Sequence, residues 1–325
     1  MIKLPIKIVQ LLWSCENNKV EHLNGYDKEL SKATFDIVST SPFVIQTDSV
    51  SILLTRDEND PNIENYQYAV LTNKKPRKSE FLKGNILSIR WIKHPTFTTL
   101  HPNEIAASWK GIFLYKKEDI PNSIFGLRAP QLGAIYAFMS KAQIHHGRNI
   151  IVMPTGTGKT ETMLSILIAN QCPKVLITVP SDALRDQLAN KFITLGILPK
   201  YEIVASDCIY PNVGIVKEGM DYNGWHSLIE KSNVIITTMP LIANSESTII
   251  DLLRANISHL FIDEAHHSEA KTWSEFIDSF DDEKVTLFTA TPFRNDSRRL
   301  RGDFIYNFSL KDAQSQGYYK PIKFI

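Results

Sequence analysis

The stretch Pro154-Thr155-Gly156-Thr157-Gly158-Lys159-Thr160 has the residue types and spacing of a turn built to hold phosphate. Its two glycines accept backbone angles that other residues resist, so successive N–H groups can converge on one anion. Lys159 can bring a charge to the outer phosphates of a polyphosphate, and the Thr160 hydroxyl suits Mg²⁺. Met153 stands where the strict G-x-x-x-x-G-K-[ST] pattern has glycine. It sits at the exit of an apolar run, before the amides begin to curl, where a side chain is tolerable. Further along, Asp263 and Glu264 follow the apolar Leu260–Ile262. An aspartate there can hold a cation through its water shell, and the adjacent glutamate can polarise an attacking water. A solvated turn is the bland reading of such a pair, and the phosphate turn upstream argues against it. His266 and His267 have no third ligand at suitable spacing, so a zinc site is set aside.

These residues need a scaffold that brings them together. The run "NIIVMP" (149–154) reads as a buried strand, and "KTETMLSILIAN" (159–170) has helical apolar spacing. Strand, glycine turn and helix therefore arrive in the order that aims unpaired helix-start amides at an anion. Five continuous apolar runs ("NIIVM", "VLITV", "VIITT", "LFID", "VTLFTA") alternate with amphipathic segments. That pattern predicts an α/β fold with a parallel sheet covered by helices on both faces. Ligands of such sheets collect at the carboxyl ends of the strands, where both motifs would lie. Ahead of this region, 42–55, 66–72, 85–92 and 111–117 are β-branched or aromatic runs separated by polar loops, which predicts antiparallel strands. The expected organisation is a β-rich or α+β domain over 1–122, an α/β domain over 123–308 and a connecting segment over 309–325.

Composition sets outer limits. A net charge of +1 over 325 residues gives no general pull toward nucleic acid, so such binding needs local patches. The three cysteines are scattered, which suits reduced thiols rather than a disulfide frame or a zinc site. The opening residues lack a signal-peptide cleavage site, and no apolar run approaches the roughly 18 residues of a membrane span. A cytoplasmic protein without membrane contact is expected.

Asp263-Glu264-Ala265-His266 taken with "PTGTGKT" resembles the superfamily 2 helicases and translocases. The resemblance covers about residues 125–320 and implies a RecA-like domain that uses ATP and Mg²⁺. It implies a catalytic set of Lys159, Asp263 and Glu264, with Thr160 and Asp263 on the metal. The turn Pro154–Thr160 would take the phosphates. "FGLRAPQLGAI" (125–135) is similar to the family's adenine-reading element, with Arg128 and Gln131 as base contacts. "VPSDALRDQ" (179–187) and "IITTMPLI" (235–242) resemble its nucleic-acid motifs, which assigns Pro180, Ser181, Arg185, Thr237 and Thr238 to a nucleic-acid backbone. "FTATPFRND" (288–296) resembles the motif that links hydrolysis to movement through Thr289 and Thr291, and the resemblance gives His266 the same coupling role. "LRAPQ", "DEAHH" and "TATPFR" together look most like helicase subunits of type I and III restriction enzymes and related defence helicases, which implies DNA rather than RNA.

Family members close a second RecA-like domain over the nucleotide, and no Q-x-x-G-R-x-x-R-like element occurs in these 325 residues. The expectation is a fragment of a longer motor, or a second half on a partner chain. Basic runs at Lys74, Lys75, Arg77 and Lys78, and at Arg294, Arg298, Arg299 and Arg301, could neutralise phosphates. Trp13, Trp91 and Trp109 could stack on bases, although core burial is the commoner fate of tryptophan. No nuclease pattern is evident before residue 122, so an accessory domain that positions DNA or docks a protein partner is expected. Two functions stay open at this level: an ATP-driven motor, and an ATP-binding module that regulates partner docking.

Overall fold

A computed structural model describes residues 7–15, 18–26, 36–38, 42–46, 50–72, 89–93, 100–141, 147–216, 218, 220–267, 271–292 and 300–318. The chain divides into two compact units, Met1–Leu12 with Glu21–Leu100, and Trp13–Val20 with His101–Ile325. Strands β1 (Lys7–Cys15) and β2 (Asn18–Tyr26) make a two-stranded sheet.

A five-stranded sheet follows in chain order: β3 (Asp36–Val38), β4 (Val44–Gln46), β5 (Ser51–Thr55), β6 (Tyr68–Thr72) and β7 (Ile89–Lys93). Its neighbours run antiparallel as the sequence predicts, except β5 and β6, which run parallel. A parallel pair needs a crossover, and the link between them folds into a short turn of 3₁₀ helix at Pro61–Asn65. Asp60 starts that turn. Its carboxylate accepts from the Asn62 N–H at 2.9 Å and from the Thr55 hydroxyl at 2.7 Å.

In the second unit, helix α1 (Pro102–Ser108) precedes the stretch 111–117, which does not form the predicted strand. Gly111 turns the chain at φ +76°, and only isolated bridges remain, Phe113 to Val204 and Lys117 to Leu127. Trp109 is buried there and donates its indole N–H to the Ile209 carbonyl at 2.7 Å, a core role rather than a base-stacking one. Residues 101–122 thus pack within the same unit as the parallel sheet, ahead of the break at 122 that composition alone suggests.

That sheet has seven strands: β8 (Asn149–Val152), β9 (Val175–Val179), β10 (Val213–Ile215), β11 (Val234–Thr238), β12 (His259–Ile262), β13 (Val285–Thr289) and β14 (Asp303–Asn307). Their order is β10-β11-β9-β12-β13-β8-β14, and every neighbouring pair is parallel. Helices α2 (Ala129–Lys141), α3 (Lys159–Ala169), α4 (Asp182–Thr194), α5 (Tyr222–Lys231), α6 (Met239–Ala243), α7 (Ser247–Asn256), α8 (Lys271–Asp278) and α9 (Leu310–Ser315) accompany it. Every residue of β8, β9, β11 and β13 is buried, as uninterrupted apolar runs require. The sequence reading missed β10, which is only three residues long, and β14, whose half-exposed residues mark an edge strand. From β8 the chain passes over β13 and β12 to reach β9, and such a reversal of strand order opens a crevice at the carboxyl edge.

Candidate nucleotide-binding and catalytic site

The phosphate turn leaves β8 and enters α3. Gly156 at φ +82° and Gly158 at φ +99° take left-handed angles that a side chain resists. A methyl group at Gly158 would also lie 2.1 Å from the Gln131 amide nitrogen. Met153 is fully buried and still part of the sheet, donating its N–H to the Thr289 carbonyl at 2.9 Å. This is why an apolar residue suits the position. Thr157 turns inward, its hydroxyl donating to the Pro154 carbonyl at 2.6 Å, so it braces the turn from beneath. Thr155 and Thr160 face the cleft.

The sequence reading takes Arg128 and Gln131 as base contacts. Both line the cleft, yet their polar groups are already engaged with the turn. Gln131, 2% exposed, accepts from the Arg128 backbone N–H at 2.7 Å and reaches the Gly158 carbonyl at 3.4 Å. The Arg128 guanidinium donates to the Gly156 carbonyl at 2.9 Å and lies over the Tyr318 ring. Helix α2 therefore clamps the turn from its other side.

Strand β12 delivers the acidic pair to the same cleft, which has a volume of about 840 Å³. Lys159 Nζ is 3.0 Å from Glu264 Oε1 and 3.4 Å from the Met153 carbonyl. Burial pushes the Asp263 carboxyl up to about 6, the Glu264 charge adds to this, and Lys159 partly offsets it. Glu264 adopts φ +50°, a strained angle for glutamate, while its N–H donates to Asp263 Oδ1 at 3.0 Å. Glu264 Oε2 is buried and accepts no hydrogen bond among the described residues, although His266 Nδ1 lies 3.4 Å away. The same His266 nitrogen is 3.2 Å from the Thr289 hydroxyl, which donates to the Thr291 carbonyl at 2.9 Å. Lys159, Asp263, Glu264, His266, Thr289 and Thr291 thus form one connected set across β8, β12 and β13.

The candidate nucleic-acid residues diverge. Pro180 and Ser181 follow β9 on the same carboxyl edge, and Ser181 is exposed at the start of α4. Arg185 is buried, with its guanidinium 2.5 Å from Asp182 Oδ1 and 3.1 Å from Asp186 Oδ1. Thr237 lies inside the sheet and its hydroxyl has no partner among the described residues, while Thr238 precedes α6 and is also buried. Arg301 belongs elsewhere: with Arg148 it holds Asp278 and Asp282 at the amino ends of β8, β13 and β14. Lys74, Lys75, Arg77, Lys78, Arg294, Arg298 and Arg299, and the side chains of Trp13 and Trp91, lie outside the described residues. The sequence reading passed over Glu161, which lines the cleft; an acid directly after the phosphate turn was the available cue.

A family model described as type III restriction enzyme, res subunit, matches residues 124–294, more than half of the chain. Comparison with curated protein sequences finds no match. Among solved structures, the UvsW helicase from bacteriophage T4 is similar at 15% identity and TM-score 0.38, covering 60% of this chain and 62% of that one. A nuclease-deletion mutant of the type ISP restriction-modification enzyme LlaGI, in complex with a DNA substrate mimic, is similar at 20% identity and TM-score 0.42, covering 60% and 21%. The Hef helicase domain of Pyrococcus furiosus is similar at 24% identity and TM-score 0.33, covering 49% and 33%. Each match spans less than two thirds of the solved chain, and at these scores the family match alone carries the assignment.

Proposed function

We propose that this chain, which belongs to the family of the type III restriction enzyme res subunit, binds and hydrolyses ATP through its RecA-like domain to drive movement along, or unwinding of, DNA. The observation that carries the reading is the Lys159–Glu264 contact across a cleft that also holds Thr160 and Asp263. A lysine and a glutamate that neutralise each other there are poised to separate when a polyphosphate arrives. Lys159 then turns to the outer phosphates, and the Glu264 carboxylate is released to orient a water and accept its proton.

Thr160 and Asp263 fit a divalent cation, since a raised Asp263 carboxyl and an unsatisfied Glu264 oxygen both call for positive charge. Mg²⁺ held there would offset charge on the β- and γ-phosphates. His266, Thr289 and Thr291 would pass the state of Glu264 to the segment after β13. Pro180, Ser181 and Thr238 lie on the edge proposed to face a nucleic-acid backbone, and Arg185 would have to exchange its aspartates for phosphate. The family's restriction role favours DNA over RNA and a place in anti-phage defence. A second RecA-like domain, in cis or on a partner chain, would supply an arginine finger, worth about 10³–10⁵ in rate, so the 325-residue chain alone is expected to turn over slowly. The unit formed by Met1–Leu12 and Glu21–Leu100 is proposed as an accessory domain for DNA or a protein partner.

The test is DNA-stimulated ATP hydrolysis by the full-length native protein and its Glu264→Gln variant. Loss of turnover by about 10²–10⁴ with nucleotide affinity retained supports the motor reading. Unchanged turnover in the variant refutes the role of Glu264. Nucleotide binding without any DNA-stimulated hydrolysis favours the regulatory module.

A further inference from the structure

The cleft has a mixed lining. The phosphate turn, Lys159, Thr160 and the acidic pair bring polar groups to it. Ile120, Leu184, Leu188 and the stacked rings of Phe125 and Tyr201, whose centroids are 5.2 Å apart, bring apolar ones. Glu161 follows Thr160 directly, and its side chain is 13% exposed. Its Oε1 lies 2.5 Å from Nζ of Lys191, a cleft residue of α4, the helix whose following segment carries Tyr201. Among the described residues Oε2 receives no hydrogen bond.

A carboxylate beside a triphosphate site is electrostatically unfavourable, and Lys191 reduces that cost without using the second oxygen. A nucleotide must lie with its sugar between phosphates and base. A fixed, neutralised carboxylate with a spare acceptor, directly after Thr160 and tied to α4 on the cleft wall, is placed for a sugar hydroxyl. Acidic side chains read ribose hydroxyls in other nucleotide folds by this same hydrogen bond.

We propose that Glu161, held by Lys191, is a specificity-determining residue that accepts a hydrogen bond from a ribose hydroxyl and discriminates against nucleotides whose sugar lacks that hydroxyl. The proposal rests on the ATP-binding reading above. Its test is equilibrium binding of ATP, 2′-deoxy-ATP and 3′-deoxy-ATP to the 325-residue chain, to Glu161→Ala and to Glu161→Gln. One of the deoxynucleotides is expected to bind wild type about tenfold more weakly than ATP, the size of one hydrogen bond to a charged group. In Glu161→Ala that ratio falls to about one, and in Glu161→Gln, whose amide still accepts, an intermediate ratio remains. The ratio is the readout because removing a carboxylate raises affinity for all three polyanions alike. Continued binding of the deoxynucleotide also shows that the variant is folded. Equal affinities in wild type, or a preference that survives Glu161→Ala, overturn the proposal while leaving ATP binding intact. Failure of all three nucleotides to bind wild type overturns the ATP reading as well.

Discussion

The two ends of the seven-stranded sheet handle charge in opposite ways. At the amino ends of β8, β13 and β14, Arg148 is buried with its guanidinium 3.0 Å from Asp278 Oδ1 and 2.6 Å from Asp282 Oδ1, and Arg301 closes the group from the outside. At the carboxyl ends, burial pushes the Asp263 carboxyl up to about 6, Glu264 is strained, and one of its oxygens accepts no hydrogen bond among the described residues. At the amino ends both aspartates meet arginines, although Arg148 Nε and Asn149 Oδ1 are buried without a partner among the described residues, whereas at the carboxyl ends it is a carboxylate oxygen, Glu264 Oε2, that is left so. A folded chain keeps such incompleteness where a ligand completes it.

Lysine substitution at the incomplete end should have the largest effect. Lys159→Ala removes charged hydrogen bonds to two phosphates and leaves two carboxylates facing them, so nucleotide affinity should fall by roughly 10²–10⁴. Titration with ATP checks this, and affinity within tenfold of wild type would end the contrast between the two edges. Asp263→Asn addresses the cost of the unfilled site. A carboxyl raised from 3.8 to about 6 lowers stability progressively between those values and fully above them. His259, buried and pushed down to about 4 from 6.5, acts in the opposite sense, since the unfolded chain binds its proton first as pH falls. The two slopes oppose each other between about pH 4 and 6 in wild type. Asp263→Asn should therefore match wild type below pH 4, exceed it by up to about 3 kcal/mol at neutral pH, and expose the His259 slope in thermal unfolding.

Arg148→Ala, at the amino end, should lower stability by about 2 kcal/mol, less than for a fully buried pair because its aspartates are half-exposed. Its ATP affinity should equal that of wild type, and a joint loss of both would mean that the ends are not independent. The smallest effect is expected at Thr237, whose buried hydroxyl has no partner among the described residues. Thr237→Val should be neutral or stabilising by about 1 kcal/mol in unfolding experiments. A loss of nucleic-acid binding in that variant would instead restore the role its sequence motif implies.

The phosphate turn and the acidic pair were legible because each depends on a short segment between a strand and the next element. The parallel sheet was legible because its strands carry no polar interruption. What escaped depended on contacts between distant segments. Gln131 is consumed by Gly158, 27 positions on, which a motif cannot announce. Thr237 faces inward because both faces of the sheet are covered, so alternation gives no cue. Arg185 is different: Asp182 stands three residues earlier on the same helix, and that spacing predicts the pairing found. Arg301 could be placed at the far end only once β14 was known as a strand.

Strand β13 lies between the strands that carry the phosphate turn and the acidic pair. Two inter-strand spacings, about 9.5 Å, therefore separate their ends, and backbone hydrogen bonds maintain that interval. The gauge of that gap is cut in main chain, so among the side chains of β13 it is Thr289, through its hydroxyl, that bears on the residues flanking it.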